Sequence, residues 1–438
     1  MALTRTVPRA GRPPTNRTHP GPAGAERYAK RLEALLGDPR DRANPYGRFA
    51  LRAAGYDALP APPAGLPAAG DAGPAADQLA RALRPLFRRD LALAHAWSIR
   101  PLLSGPLPHP AAALLGPAAL LASTAGVLSG VTRVVDGLSR YEPGTRQWRP
   151  VLASIFADLL ACESLTAVAL RSCADREPEG AGPAGLRPAR QPGGSLGDVV
   201  GYLVPQLAGE LLGDLELVLS ECGFGGGTPE RSALDKVLRD RALVGGDWQA
   251  GRAAQARSVG GLSAVGGSEP GGGTGLAGLF RITEEAGAVA PGDGSPWAVA
   301  ATLGGAVDRL AGAGGPATAA LARVGRRLAT EQRALRVACA ATVVHDPADP
   351  AARALADRQA LLALAAAVLG VREAAAGARL PFLGEAGWAL LALGRTAGRL
   401  GLPLPDGTPD PQPAVWEELA GRAADGVDCD LYATRLPW

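Results

Sequence analysis

The residues of this 438-residue chain that could do chemistry are few and widely spaced. Cys162, Cys173, Cys222, Cys339 and Cys429 have neither Cys-x-x-Cys spacing nor histidine partners, so neither a zinc site nor a disulfide framework is expected. Four of the five fall on expected helices, where they read as small buried residues or idle thiols. His345 has no partner at ligand spacing, and His95 sits in an apolar helical stretch; each reads as a satisfied or exposed imidazole. Gly225, Gly226 and Gly227 follow no strand, so they form a flexible break and not a dinucleotide loop. No G-x-S-x-G, Walker loop, H-E-x-x-H or paired-carboxylate motif appears. What remains is a set of charged residues near expected helix ends: Arg88, Arg89, Arg140 and Asp247.

The elements that must hold these residues are helical. Aromatic residues make up 4% of the chain and isoleucines are rare, which is poor material for sheets. The length suits about two to four domains with ample core. Only Lys30 and Lys236 are lysines among 45 basic residues, a skew typical of GC-rich coding. Net charge is +3, and no basic stripe interleaves with aromatics, so no nucleic-acid partner is expected. The N-terminus lacks an apolar core segment of the signal-peptide kind, so a soluble cytoplasmic protein is expected.

Residues 201–240 organise the pattern. Val199, Val200, Leu203, Leu207, Leu211, Leu215, Val218, Leu219 and Cys222 recur mostly at steps of three and four, the spacing of one buried helix face. Pro205 inside that stripe predicts a kink, or a helix that begins near it. Glycines end the helix, and a second runs from Pro229 to Arg239 and Asp240. Further helices are expected near 25–35, 76–99, 111–138, 149–172, 297–343, 351–373 and 384–400, with loops at 59–74 and 177–194. Residues 101–132 contain no Asp, Glu, Lys or Arg and are long enough to span a bilayer. Pro106, Pro108, Pro110 and Pro117 interrupt them, so a central bundle helix, with no membrane partner, is the expectation.

Tyr202-Leu203-Val204-Pro205, the long apolar helix, the glycine break with Phe224, and Leu238-Arg239-Asp240 together resemble acyl-CoA dehydrogenases. More narrowly, they resemble the divergent members of bacterial natural-product gene clusters. Leu36-Gly37-Asp38-Pro39, Asn44-Pro45-Tyr46-Gly47, Leu86-Phe87-Arg88-Arg89-Asp90 and the phrase from Phe156 to Cys162 extend the likeness. It covers residues 26–258 by phrases and 279–438 by pattern. The family is a flavoenzyme family in which a β-barrel domain lies between two helical domains. Here residues 104–110 connect the helices directly, without alternating β-branched sequence, so that domain is expected to be missing.

What the resemblance implies for the site is correspondingly mixed. Arg140 and Gly144 occupy the family's Arg-x-x-Phe-Gly turn, whose arginine faces an FAD phosphate of the neighbouring subunit; Pro143 replaces the aromatic. Where the family has a Gly-Gly pair beside the cofactor, this chain has Ser220 and Glu221, and a carboxylate there repels a pyrophosphate. The family's catalytic Glu-Gly-Thr is missing. Asp247 is the nearest carboxylate, one residue out of step and shorter, with a loop aspartate as the alternative. Arg88 and Arg89 could reach an acyl-carrier phosphate, or simply form a solvated helix face.

The expected fold is all-α: an acyl-CoA dehydrogenase-like N-terminal helical domain (25–104) and a C-terminal four-helix bundle (111–258), with a helical extension (295–438). A disordered tail (1–24), a connector (105–110) and a Gly-rich linker (259–294) complete it. The expected function is that of a degenerate dehydrogenase-like partner, scaffold or acyl-thioester-binding protein in secondary metabolism. One alternative is an FAD-dependent acyl-CoA or acyl-carrier-protein dehydrogenase completed by a partner chain. The other is a non-redox cyclase or lyase using the same cleft. A homo-oligomer, or a hetero-oligomer with a complete paralogue, is implied by the family's assembly through its bundle.

Overall fold

The helix that opens at Leu196 shows how local chemistry sets boundaries in this chain. Ser195 and Asp198 form a capping box: the Asp198 N–H donates to Ser195 Oγ at 3.2 Å, and the Ser195 N–H donates to Asp198 Oδ2 at 3.1 Å. Eight residues of the expected stripe, Val199 to Leu219, are buried, while Cys222 is half-buried. Pro205 lies inside the helix, so the helix does not begin there. The chain leaves through Gly223, at φ 76°, and restarts at Pro229, where Thr228 Oγ1 accepts the Arg231 N–H at 3.3 Å.

The computed structural model describes residues 22–53, 55–63, 75–104, 112–173, 195–262, 276–282, 295–312, 314–342 and 346–437. The N-terminal helices are α1 (Pro22–Leu36), α2 (Arg48–Ala53), α3 (Ala76–Arg89), the single turn α4 (Leu91–Ala94) and α5 (Arg100–Ser104). Then come α6 (Ala112–Leu138), α7 (Arg149–Ser172), α8 (Leu196–Glu221), α9 (Pro229–Asp240) and α10 (Trp248–Gly260). The C-terminal helices are α11 (Pro296–Ala311), α12 (Pro316–Ala341), α13 (Pro350–Gly377), the single turn α14 (Pro381–Gly384), α15 (Ala386–Arg399) and α16 (Gln412–Asp425). The fold is all-α. Among the described residues the β structure is one isolated bridge, Val427 to Arg435.

Three points of the sequence reading need correction. The stretch 297–343 is two helices, broken at Gly315, whose φ of 100° suits glycine and not a helix interior. Helix α16 falls inside the expected helical extension, but its stripe of Val415, Trp416, Leu419 and Ala423 was not singled out. The tail ends sooner than expected, since α1 starts at Pro22. The connector 105–110, the loop 177–194, most of the linker (263–275 and 283–294) and His345 lie outside the described residues.

Helix α6 is the axis, touching α3, α7, α8, α9 and α16. The starts of α6 and α8 lie side by side, with Gly197 against Leu114. Gly116 allows a close crossing: a Cβ there would stand 2.4 Å from the Val244 carbonyl oxygen. Helices of the expected C-terminal extension pack on the bundle. α13 packs on α7, α16 packs on α6 and α7, and the Tyr202 hydroxyl donates to the Ala356 carbonyl at 2.9 Å. One apolar cluster runs from Leu32 to Leu431. The five cysteines are free, with Cys162, Cys339 and Cys429 buried.

Among the described residues, three helical runs, α6, Pro143–Ser172 and α13, are long and apolar enough to cross a membrane by length and composition. In this fold 89%, 94% and 72% of their most apolar windows are buried, which accounts for apolar character all around a helix.

Candidate functional site

Asp247 is the N-cap of α10, where its Oδ1 accepts the Ala250 N–H at 2.7 Å. Its carboxylate therefore holds a helix start. Arg140 and Gly144 lie in the turn between α6 and α7. The Arg140 side chain is 72% exposed and among the described residues pairs with Asp136, at 3.4 Å, while none of them stands within 4 Å of a Cβ added to Gly144. Asp247 lies just beyond Val244, which touches the start of α6, and Arg140 follows the end of α6. From Gly116 to Leu138 the helix rises roughly 30 Å at ~1.5 Å per residue, so one chain does not bring these residues together.

The residues at the α6–α7 turn fit a flavin pyrophosphate poorly. Burial, then Glu142 and Glu221, push the Cys222 thiol up, which places both exposed carboxylates at the end of the bundle where Arg140 stands. The turn exposes Arg140 and Arg146 beside Glu142, and Asp136 already draws both Arg140 (3.4 Å) and Arg149 (3.8 Å), so these charges are largely taken up by one another.

Arg88 and Arg89 do not form a solvated face. Arg88 Nη1 donates to Asp428 Oδ2 at 3.2 Å, and its Nη2 donates to Glu33 Oε1 at 3.1 Å. Arg89 donates to the carbonyls of Tyr46 (3.1 Å) and Gly37 (2.6 Å), and its burial lowers the guanidinium pKa to about 10. His95 stands on a π-helical turn, His95–Ile99, with Nδ1 at 2.8 Å from the Tyr56 hydroxyl, so it is a satisfied histidine.

The densest chemistry lies instead in a cleft between α3, α6 and α7, closed by Leu431 and Tyr432. Helical spacing builds it: Asp77, Ala80, Arg81, Arg84 and Phe87 share one face of α3, and Glu163, Thr166, Ala167 and Leu170 share one face of α7. Arg84 is the hub. Its Nε donates to Asp428 Oδ2 at 2.8 Å and lies 3.4 Å from Asp430 Oδ2, while its Nη2 lies 2.9 Å from Glu163 Oε1. Glu163 Oε2 accepts the Leu431 N–H at 2.9 Å. Arg422 Nη1 donates to the carbonyls of Asp428 (3.2 Å) and Asp430 (2.6 Å), which anchors the same loop. At the other end, Arg171 Nη1 donates to Asp77 Oδ2 at 3.1 Å, and the Arg81 guanidinium lies 3.9 Å from the Tyr432 ring centre.

Burial sets the electrostatics of this cluster. It raises the Glu163 carboxyl to about 7 against the pull of Arg84, helped by Asp430 and Asp428. Asp430 is raised by burial and by Asp428. Burial would raise Asp428 too, but Arg84 and Arg88 hold it below the ordinary range. Glu163 is thus a carboxyl poised to give or take a proton near neutrality, with Asp430 raised beside it and Asp428 held low. Among the described residues no His, Cys, Asp and Glu cluster is arranged to hold a metal.

None of Arg84, Glu163, Asp428, Asp430 or Tyr432 stood out in the sequence. One signal was present: between Pro150 and Leu170 only Asp158 and Glu163 are charged, and charges inside an otherwise apolar helix require buried partners. Asp158 meets Arg395 Nε at 2.7 Å and Arg399 Nη2 at 2.8 Å. Nearby, Trp148, Val151, Asp214, Leu217, Arg395 and Gln412 line an open groove of about 310 Å³. No family model, curated protein or solved structure matches this chain.

Proposed function

We propose that this chain is a helical partner protein of the acyl-CoA dehydrogenase type that does not itself oxidise an acyl thioester. It serves as a scaffold, or holds the thioester for a complete paralogue. One observation carries this reading: at the turn where the resemblance puts the cofactor phosphate, Arg140 is exposed and paired with Asp136, which Arg149 also approaches, and the exposed Glu142 follows two residues on. Two others support it. Asp247 is engaged as a helix cap, and the same end exposes apolar surface, with Tyr141 at 85% and Leu217 at 51% beside the groove. An exposed turn flanked by apolar side chains suits a contact with another subunit better than a cofactor.

A second reading, a non-redox lyase or cyclase, is favoured by Glu163 near neutrality in a partly open cleft. The deciding measurement is the visible spectrum of the purified protein after incubation with FAD, with its mass by light scattering. A colourless protein that is larger than a monomer, or that captures a flavin-bearing paralogue, is expected. A bound-flavin spectrum near one per chain would overturn the reading and restore acyl-thioester oxidation.

A further inference from the structure

Three exposed arginines on three different elements meet where the loop between α1 and α2, α9 and α6 come together. Arg40 lies in the loop, Arg48 opens α2, and Arg133 stands on α6. The loop is held firmly. Arg89 donates to the carbonyls of Gly37 and Tyr46, the Asn44 amide donates to those of Leu36 and Asp38 (both 2.8 Å), and the Arg48 N–H donates to the Pro39 carbonyl at 2.9 Å. On the other side α2 packs on α9 and α9 on α6, with Glu230 Cγ 3.6 Å from a Cβ added to Gly130, one turn before Arg133.

Nearby acids leave these charges unbalanced. Asp38 and Asp41 are turned onto the loop's own N–H groups, those of Arg40 (2.8 Å) and Ala43 (2.9 Å). Among the described residues Arg40 and Arg48 have no hydrogen-bond or ion-pair partner, and Arg133 has one, the Ser129 hydroxyl at 3.0 Å. Arg48 and Arg133 reach solvent, yet the protein crowds them. Burial lowers both guanidinium pKa values; Arg133 and Arg40 then lower Arg48 further, and Arg40 lowers Arg133, while Glu230 pulls the other way. Arg88, which also lowers Arg48, is already paired with Glu33 and Asp428. Three guanidiniums facing one carboxylate attract a multiply charged anion. Their forked N–H groups match the oxygens of a phosphate.

We propose that Arg40, Arg48 and Arg133 bind a terminal phosphate group, a dianion with oxygens enough for all three. None of the three lines the cleft or the groove, so the site stands whether or not the partner reading holds.

The test is calorimetric titration of the full chain at about pH 8 in a low-chloride buffer, where a phosphate monoester, with its second pKa of about 6, is a dianion. Methyl phosphate should bind once per chain, and dimethyl phosphate, a monoanion, about tenfold more weakly. Arg48→Gln and Arg133→Gln should each weaken methyl phosphate about tenfold, the loss of one charge-assisted contact. Arg326→Gln removes an exposed charge from α12 and should change nothing. Inorganic phosphate, titrated alongside, separates the sources: tighter binding of the ester supports a phosphorylated ligand, and equal or tighter binding of the free ion supports free phosphate. Absence of methyl phosphate binding up to about 10 mM overturns the proposal. Equal affinity for monoester and diester does the same, as does a loss in Arg326→Gln as large as in Arg48→Gln, which means diffuse charge and no site. Arg48 has no such partner to lose among the described residues, so its variant decides the matter even if Arg133→Gln does not fold.

Discussion

Arg84 and Arg140 are the same residue in opposite settings. Arg140 lies in a turn that resembles a phosphate-facing motif, yet its side chain is 72% exposed and has one partner at 3.4 Å, four residues back. Arg84 belongs to no motif, but its side chain is 14% exposed and stands within 3.4 Å of Glu163, Asp428 and Asp430. The first ties together one helix end. The second ties α3 to α7 and to the C-terminal loop, elements far apart in sequence. A motif marks where a residue stood in a resembling protein, whereas burial and partner number mark what holds this one together.

The largest expected effect comes from breaking the buried side of that contrast. Arg84→Met keeps the bulk of the side chain but leaves three buried carboxylates short of a cation. Removing one partner of a buried ion cluster costs about 3–5 kcal/mol. Urea unfolding of the variant should show a loss of that size, with the C-terminal loop becoming open to protease first. A loss under about 1 kcal/mol would show that water already screens the cluster and that the contrast with Arg140 is empty.

The next effect is one of pH. The folded state raises Glu163 to about 7, above its ordinary carboxyl range. Between roughly pH 4.5 and 7 the folded chain therefore holds a proton that the unfolded chain releases. Stability from this group is full below that window, falls as pH rises through it, and is flat above. Asp430, also raised by burial, adds to the slope in the same direction, whereas Asp428, held low by Arg84 and Arg88, acts oppositely in acid. A decline on the order of 3 kcal/mol is expected from Glu163. Glu163→Gln, which mimics the protonated form, should flatten it, and an unchanged slope would place the titration elsewhere.

How much of this was legible follows the same division. The stripe of α8, the Pro229 start of α9 and the all-α class came from periodicity and cap chemistry, which are local. The break at Gly315 was missed because alanines and leucines continue on both sides of it. The Arg84 cluster was missed because Asp428 and Asp430 sit in an aperiodic loop whose partners lie on helices hundreds of residues earlier. Arg88 and Arg89 were expected on a solvated face because paired charges on a helix usually are, but α1 and the C-terminal loop cover them. Local sequence carries the helices, and tertiary contact alone decides which charges are buried.

Asp247 tests the motif side at a smaller scale. As an N-cap it contributes about 1 kcal/mol, which Asp247→Ala should lose and Asp247→Asn should retain, since asparagine caps equally well. Calorimetry on both variants checks this. If Asp247→Asn were as unstable as Asp247→Ala, the charge would matter beyond the cap, and the aspartate would regain standing as a reactive group.

The smallest effect expected is that of Arg140. With its side chain mostly in water and a single partner one turn away, Arg140→Ala should change stability by less than about 0.5 kcal/mol. Its consequence should lie outside the folded chain. If the exposed end with Tyr141 and Leu217 is a contact with another subunit, the variant unfolds normally but has a lower mass by light scattering at micromolar concentration. If mass and stability both stay unchanged, Arg140 is a surface residue and the contact must be sought along the groove at Leu217. The pair of measurements thus separates a residue that holds the fold, as Arg84 does, from one that matters only when a second chain arrives.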